Sequence, residues 1–403
     1  NIMYEHFDNI IKGITEKLNQ DPEGINARKK YALEMSKLGK KLYTRGENIA
    51  WCGVTAPFDL LGSMGITSCF VEFVGALLSS TEAAGFFLEE AEDAGFATDS
   101  CAYHRAVMGA VLKNVMPEPD FIIGTSSPCT AGLAIVENFA NQYKKDFFIL
   151  NIPQNYTKDA VKFLADQLEE MTHFVSDHTK RPLSKEKLGI ALDYFNQSSQ
   201  LLKDIYDLAK TKPSPVDNKF LKDFGTVIGL IMGTQQGVDI CQAFKDELNH
   251  RIRTGQHHAS KEKIRLMWIQ NRIQYPFPIN EKLDDFGAKI VVDELNDVTW
   301  EPMDPDKPFE SIAKRMISIP FSMDTSERIR HMQALAGDYR IDGAINPCHW
   351  GCRQGTGTRG LVSKGLKDVN VPVLNLEIDC VDSRNLARGQ IETRVEAFIE
   401  MLS

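Results

Sequence analysis

Asp342-Gly-Ala-Ile-Asn-Pro-Cys-His-Trp-Gly-Cys352 is the stretch whose reading decides the fold. It opens on a short apolar run of strand type, Asp342–Ile345, and then places two cysteines, Cys348 and Cys352, at C-x3-C spacing. A similar order occurs twice more. Phe121-Ile-Ile-Gly-Thr-Ser-Ser leads towards Cys129, and Val371-Pro-Val-Leu-Asn-Leu-Glu-Ile-Asp runs into Cys380. In open parallel sheets, ligands bind outside the carboxyl ends of the strands. A lone loop cysteine is most simply a buried residue. Cysteines repeated at that edge point instead to thiolate ligation of a soft metal, zinc or iron in a sulfide cluster.

Outward from these runs, strand patterns alternate with helical ones. Asn48–Val54, Phe121–Ile123 and Phe147–Leu150 read as strands in the first half, with helical patterns over 71–95, 102–114 and 131–143. Strands resume at Arg265–Ile269, Ala288–Val292, Asp342–Ile345 and Val371–Leu376, with helices over 325–336, 356–366 and 389–402. Asp324-Thr-Ser-Glu327 has the form of a helix N-cap. Such alternation predicts an α/β protein with parallel sheets. The expected organisation is an N-terminal helical segment at 1–45, a first α/β domain at 46–180, a helical segment at 181–262 and a second α/β domain at 263–403. Arg181-Pro182 and Pro213-Ser-Pro215 interrupt the central helices.

Bulk properties narrow the function. The 403 residues are 43% hydrophobic and 25% charged, enough apolar material for more than one core. A net charge of −9 argues against a nucleic-acid partner, which needs a basic face. No run of 18 apolar residues exists, so no membrane span is expected. Residues 1–30 are polar and helical in pattern without a signal-peptide core, which leads us to expect a cytoplasmic protein. In that reducing compartment the eight cysteines are free thiols, ligands or catalysts rather than disulfides.

Cys52, inside an apolar strand run, and Cys241, in a helical pattern, read as core. Cys69 and Cys101 follow serines, Ser68 and Ser100, that could donate hydrogen bonds to sulfur. Arg105, Arg353, His104 and His349 could offset the charge of a thiolate–cluster site. Gly355-Thr-Gly-Thr-Arg-Gly360 matches a dinucleotide fingerprint, but it does not follow its strand directly, as that fingerprint requires. G-x-S-x-G, H-E-x-x-H, the P-loop and the C-x2-C pairs of zinc ribbons are absent. No general acid or base stands out; His104, His349 and Glu377 are candidates only because they lie near the cysteines.

Cys101-Ala-Tyr-His-Arg105 with Gly109, the 341–348 segment, and Leu374–Asp379 with Asp382, Arg384 and Thr393–Phe398 carry a family resemblance. Over roughly residues 40–403 the chain resembles the iron–sulfur subunits of 2-hydroxyacyl-CoA dehydratases and benzoyl-CoA reductases. Ordinary members hold one [4Fe–4S] cubane on three cysteines, and Cys69, Cys101 and one of Cys348 or Cys352 match those positions. Cys129, Cys380 and the other member of the C-x3-C pair are additional. Six cysteines resemble the ligand set of the superfamily's double-cubane proteins, whose [8Fe–9S] cluster takes three on each cubane. The resemblance implies two Rossmann- or flavodoxin-like domains with the cluster between them. It also implies a homodimer, and an ATP-hydrolysing iron–sulfur reductase that delivers low-potential electrons. The implied reaction is reduction of a small unsaturated substrate. The alternative is a single-[4Fe–4S] subunit of a dehydratase or an aryl-CoA reductase; a simple electron carrier and a nucleotide-binding protein are further rivals.

Overall fold

Short apolar runs in each half of the chain become strands in the computed structural model, which describes residues 2–21, 26–220, 227–259 and 261–403. The first half supplies β1 (Asn48–Cys52), β2 (Ile66–Phe70), β3 (Phe121–Thr125) and β4 (Phe147–Leu150). The second supplies β5 (Ile264–Trp268), β6 (Ala288–Asp293), β7 (Gly343–His349) and β8 (Val373–Ile378). All pairings are parallel, in the orders β2-β1-β3-β4 and β6-β5-β7-β8. The two orders are the same, as in flavodoxin-like sheets. Each therefore has its switch point, where ligands bind, between its first and third strands: β1/β3 and β5/β7.

The helices are α1 (Ile2–Asn19), α2 (Ala27–Leu42), α3 (Phe58–Ser63), α4 (Val71–Ser80), α5 (Ala84–Asp93), α6 (Ala102–Leu112), α7 (Thr130–Tyr143) and α8 (Lys158–Thr179). They continue with α9 (Lys185–Ala209), α10 (Gln235–Arg253), α11 (Ile279–Asp285), α12 (Pro308–Ile317), α13 (Thr325–Asp338), α14 (Arg353–Thr356), α15 (Arg359–Lys367) and α16 (Arg388–Leu402). Asp324 caps α13 as its sequence predicts, accepting from Ser326 N at 2.8 Å and Glu327 N at 3.2 Å.

Strand alternation sorts the side chains by face. Ile49, Trp51, Cys69 and Ile122 lie in one apolar cluster with Phe139 of α7 and Val107 and Met108 of α6. Ala50, Cys52, Phe121 and Ile123 point to the other face, into a cluster that runs through α8, α9 and α12 to Met267, Val291 and Ala344 of the second sheet. A buried ion pair reinforces that continuity: Arg315 of α12 holds Asp59 of α3 through bonds of 2.6 and 2.8 Å.

α6 is the wedge. It is buried at every position from Ala102 to Val111. A helix covered on every side belongs inside a protein, and its buried polar residues are partnered, His104 by Glu72 and Arg105 by backbone carbonyls. Val107 and Met108 pack on the first sheet's side, while Ala102, Tyr103 and Ala106 pack with Leu266, Trp268, Ile345 and Leu376 of the second. Its N-terminus therefore opens between the two units.

Several elements differ from expectation. The stretch Ile66–Phe70, not anticipated as a strand, forms β2, since both its faces are covered. The helical pattern of 71–95 divides into α4 and α5 around Glu82, whose φ is 60°. The N-terminal pattern of 1–45 divides into α1 and α2, which pack together. β7 runs four residues beyond the expected Ile345, so Cys348 is a strand residue and not a loop one. Pro347 is tolerated because β5 pairs with β7 only as far as Ile345, and beyond it the side facing β5 needs no N–H.

Candidate functional site

Three of the sequence-derived cysteines, Cys101, Cys129 and Cys352, occupy helix N-cap positions, on α6, α7 and α14. Cys129 leaves β3 and Cys352 leaves β7, so they occupy equivalent places beside the two switch points. Each uses its sulfur as Ser or Asp would use oxygen. Cys129 Sγ accepts from Gly132 N at 3.4 Å, and Cys352 Sγ from Gly355 N at 3.4 Å. The three lie within electrostatic reach of one another: Cys101 feels Cys352 and Cys129, and Cys129 feels Cys352.

Gly351 makes this convergence possible. Its φ is +80°, and a Cβ there would stand 2.7 Å from Cys101 N and from the Ser100 carbonyl. The loop of the second unit thus lies directly against the turn that presents Cys101. Gly355 has a similar duty, since a Cβ there would run into Gln270 Oε1.

Cys380, past the end of β8, is fully buried and within reach of Cys352, Cys101 and Cys348. Cys348 is buried on β7, with Asn375 Oδ1 at 3.7 Å and the Arg359 guanidinium beside it. Five of the six cysteines are therefore brought to one region. Cys69 is not: it is 1% exposed, in the cluster containing Trp51, Ile122 and Phe139. Its thiol neighbour is Cys52, on the opposite face at the end of β1. Cys52, read as core, is indeed buried, yet it shares the Glu72 carboxylate with Cys129 as a neighbour. Cys241 is core, in α10.

Burial pushes the Cys129 thiol up to about 11 and raises those of Cys101, Cys348, Cys352 and Cys380 as well. These thiols are protonated near neutrality, and a metal must displace the protons to bind thiolate.

The three polar candidates have different places. His349 ends β7, 1% exposed; burial first, then the charges of His104 and Arg105, lower it to about 3, so it is neutral. His104 bonds Glu72 Oε1 at 2.9 Å beneath Gly132. Glu377 is exposed and pairs with Arg359 at 2.7 Å. Arg105 is not directed at a sulfur. It donates to the carbonyls of Ala97, Thr98 and Ser100, and so pins the turn before Cys101. Arg353 is exposed, 3.6 Å from Asp99. Ser100 donates to Ala97 O, at 2.7 Å, and not to sulfur. Sequence reasoning missed Arg359 and Gly132; the shared Cys-x-x-Gly of 129–132 and 352–355 was the available signal.

An open cavity of about 800 Å³ adjoins Cys348, lined by Arg105, Trp350, Arg359, Glu377, Asp379 and Arg384 among others. Among the described residues, no three His, Cys, Asp or Glu side chains are grouped to hold one metal ion. An iron–sulfur cluster makes a different demand, with each cysteine on its own iron. The residues present fit such a group. The donor set is all thiol, backbone N–H groups already point at two sulfurs, Ser68 lies against the Cys52 sulfur, and the buried hydroxyl of Ser127, two residues before Cys129, lacks a partner. Hydrogen bonds to sulfur are a regular part of cluster surroundings.

The sequence profile of the family described as 2-hydroxyglutaryl-CoA dehydratase, D-component, matches residues 54–402. The (R)-phenyllactyl-CoA dehydratase alpha subunit of Clostridium sporogenes is 23% identical over 374 residues, 89% of this chain and 90% of its own. Lactoyl-CoA dehydratase subunit alpha of Anaerotignum propionicum is 23% identical over 412 residues, 94% of this chain and 97% of its own. A benzoyl-CoA reductase subunit from Thauera aromatica is 23% identical over 358 residues, covering 79% and 80% of the two chains.

Proposed function

The chain belongs to the 2-hydroxyglutaryl-CoA dehydratase D-component family, and from that premise we propose that it is an iron–sulfur reductase-type enzyme with a double-cubane [8Fe–9S] cluster. The observation that carries the proposal is the meeting of Cys101, Cys129, Cys348, Cys352 and Cys380 between the two units. Five thiols exceed the three that one substrate-open cubane uses. Cys52, which shares Glu72 with Cys129, is a better placed sixth ligand than Cys69. In this reading Cys101, Cys129 and Cys352 hold one cubane. Cys348 and Cys380 belong to the other.

Bound there, such a cluster supplies low-potential electrons, spread over many iron and sulfur atoms. The protein's own part is to bury the thiols, to direct the Gly132 and Gly355 amides at sulfur, and to keep the Cys101 turn in place through Arg105. The cavity beside Cys348 is the place for a small unsaturated substrate. The electron donor is an ATP-hydrolysing iron–sulfur reductase, and the protein works in the cytoplasm as a homodimer. No helix among the described residues is long and apolar enough to cross a membrane.

A second reading has its own support. The three N-capping cysteines form a mutual set sufficient for one [4Fe–4S] cubane, and the relatives include dehydratase alpha subunits. Here the chain is one subunit of a two-component 2-hydroxyacyl-CoA dehydratase or a benzoyl-CoA reductase, acting on a CoA thioester. Iron and acid-labile sulfide in anaerobically purified protein decide between the two: about eight irons per chain against about four. Cys380→Ala lowers the iron content under the first reading and leaves it unchanged under the second. A folded protein without sulfide defeats both.

A further inference from the structure

His349 makes two polar contacts of opposite kind. Its Nδ1 accepts the backbone N–H of Cys380 at 2.9 Å. A ring nitrogen that accepts carries no proton, so the neutral imidazole keeps its hydrogen on Nε2. Nε2 faces Cys101 Sγ at 3.7 Å, within N–H···S range. The flipped ring would set a carbon against the Cys380 N–H. Asp379 Oδ1, 3.5 Å from Nδ1, is already engaged by the N–H groups of Val381 and Asp382. The Tyr103 ring packs edge-on against the imidazole, 5.2 Å between centroids at 79°. With 1% exposure, no water competes for Nε2.

We infer that His349 is a hydrogen-bond donor of fixed tautomer to the Cys101 sulfur, and that it sets the reduction potential of the iron–sulfur group held there. This role rests on the cluster reading above. A donor to a ligand sulfur stabilises the extra negative charge of the reduced cluster and raises its potential. The donor comes from the second unit and the sulfur from the first, so the bond forms only when the two are docked. His349 also follows Cys348 directly and is anchored by Cys380. One imidazole thereby ties together the segments bearing three of the candidate ligands. It is a positioning and tuning residue rather than an acid or base.

His349→Leu removes both contacts. His349→Gln restores them, because its amide spaces an acceptor and a donor much as the ring spaces its nitrogens. The test is a redox titration of each anaerobic holoprotein, followed by the EPR signal of the reduced cluster. H349L is expected to keep wild-type iron and sulfide and to titrate at lower potential, with H349Q close to wild type. An unchanged potential in iron-replete H349L overturns the inference. A second measurement does not depend on the cluster: 15N spectra of histidine-labelled, metal-free wild-type protein, with the His349 signal assigned by its loss in H349Q. A bare Nδ1 and a protonated Nε2 are expected; a proton on Nδ1 overturns the inference. Iron and sulfide content of the wild type separately tests the cluster reading, so the two failures are told apart.

Discussion

At Cys129 a single sulfur serves as helix cap and as candidate ligand, and substitution can separate the two duties. Serine keeps a cap acceptor and alanine does not. Cys129→Ser is expected to hold the free energy of unfolding near wild type in the metal-free protein, while Cys129→Ala loses about 1 kcal/mol, both read by urea unfolding. Both lose iron. Cys69→Ala behaves in the opposite way, keeping iron while leaving a small void beside Trp51. An iron loss in C69A equal to that in C129S would return Cys69 to the ligand set. The sequence singled out Cys129, Cys348 and Cys380 through their position after apolar runs, Cys352 through its C-x3-C spacing and Cys101 through the family resemblance. The surroundings of Cys69 were not legible, because Ile66–Phe70 was not anticipated as a strand. Once it is one, parallel pairing sets Cys69 opposite Trp51, and alternation sends both to the same covered face.

Among elements, the loop from β7 to α14 has little freedom. Gly351 holds φ +80° with backbone of Ser100 and Cys101 at 2.7 Å from any added Cβ. Gly351→Ala is expected to cost at least about 1–2 kcal/mol for the backbone conformation alone. The clash adds to that and displaces the turn carrying Cys101. Denaturant unfolding of the metal-free protein, with iron retention after reconstitution, measures the two effects. A variant that matches wild type on both would mean that the loop yields. The C-x3-C spacing was plain in the sequence, but the path between its cysteines was not. Asn346-Pro-Cys looks like a strand terminator, and only the shorter reach of β5 shows why the strand continues to His349. α6 was legible as a helix; its burial between two sheets was not, because that depends on partners far away in the chain.

On the scale of the molecule, two sheets of the same order share one apolar core, and the buried Asp59–Arg315 pair lies within it. Asp59→Asn leaves the guanidinium buried without its countercharge, for a loss of about 3–5 kcal/mol. Because the core is continuous, the expected outcome is a single unfolding transition at lower denaturant. A wild-type-like α12 end that melts separately would contradict that continuity. The alternating α/β plan and the pairing of two units were readable from periodicity, but the way the units dock was not. The division of the thiols between halves has a consequence in time. Cys101 and Cys129 are made well before Cys348, Cys352 and Cys380. During synthesis the early thiols wait without their counterparts, so the iron–sulfur group proposed above could not be completed before Cys380 has left the ribosome. Once in place it would act as a clasp between early and late segments, and its oxidative loss would release both at once.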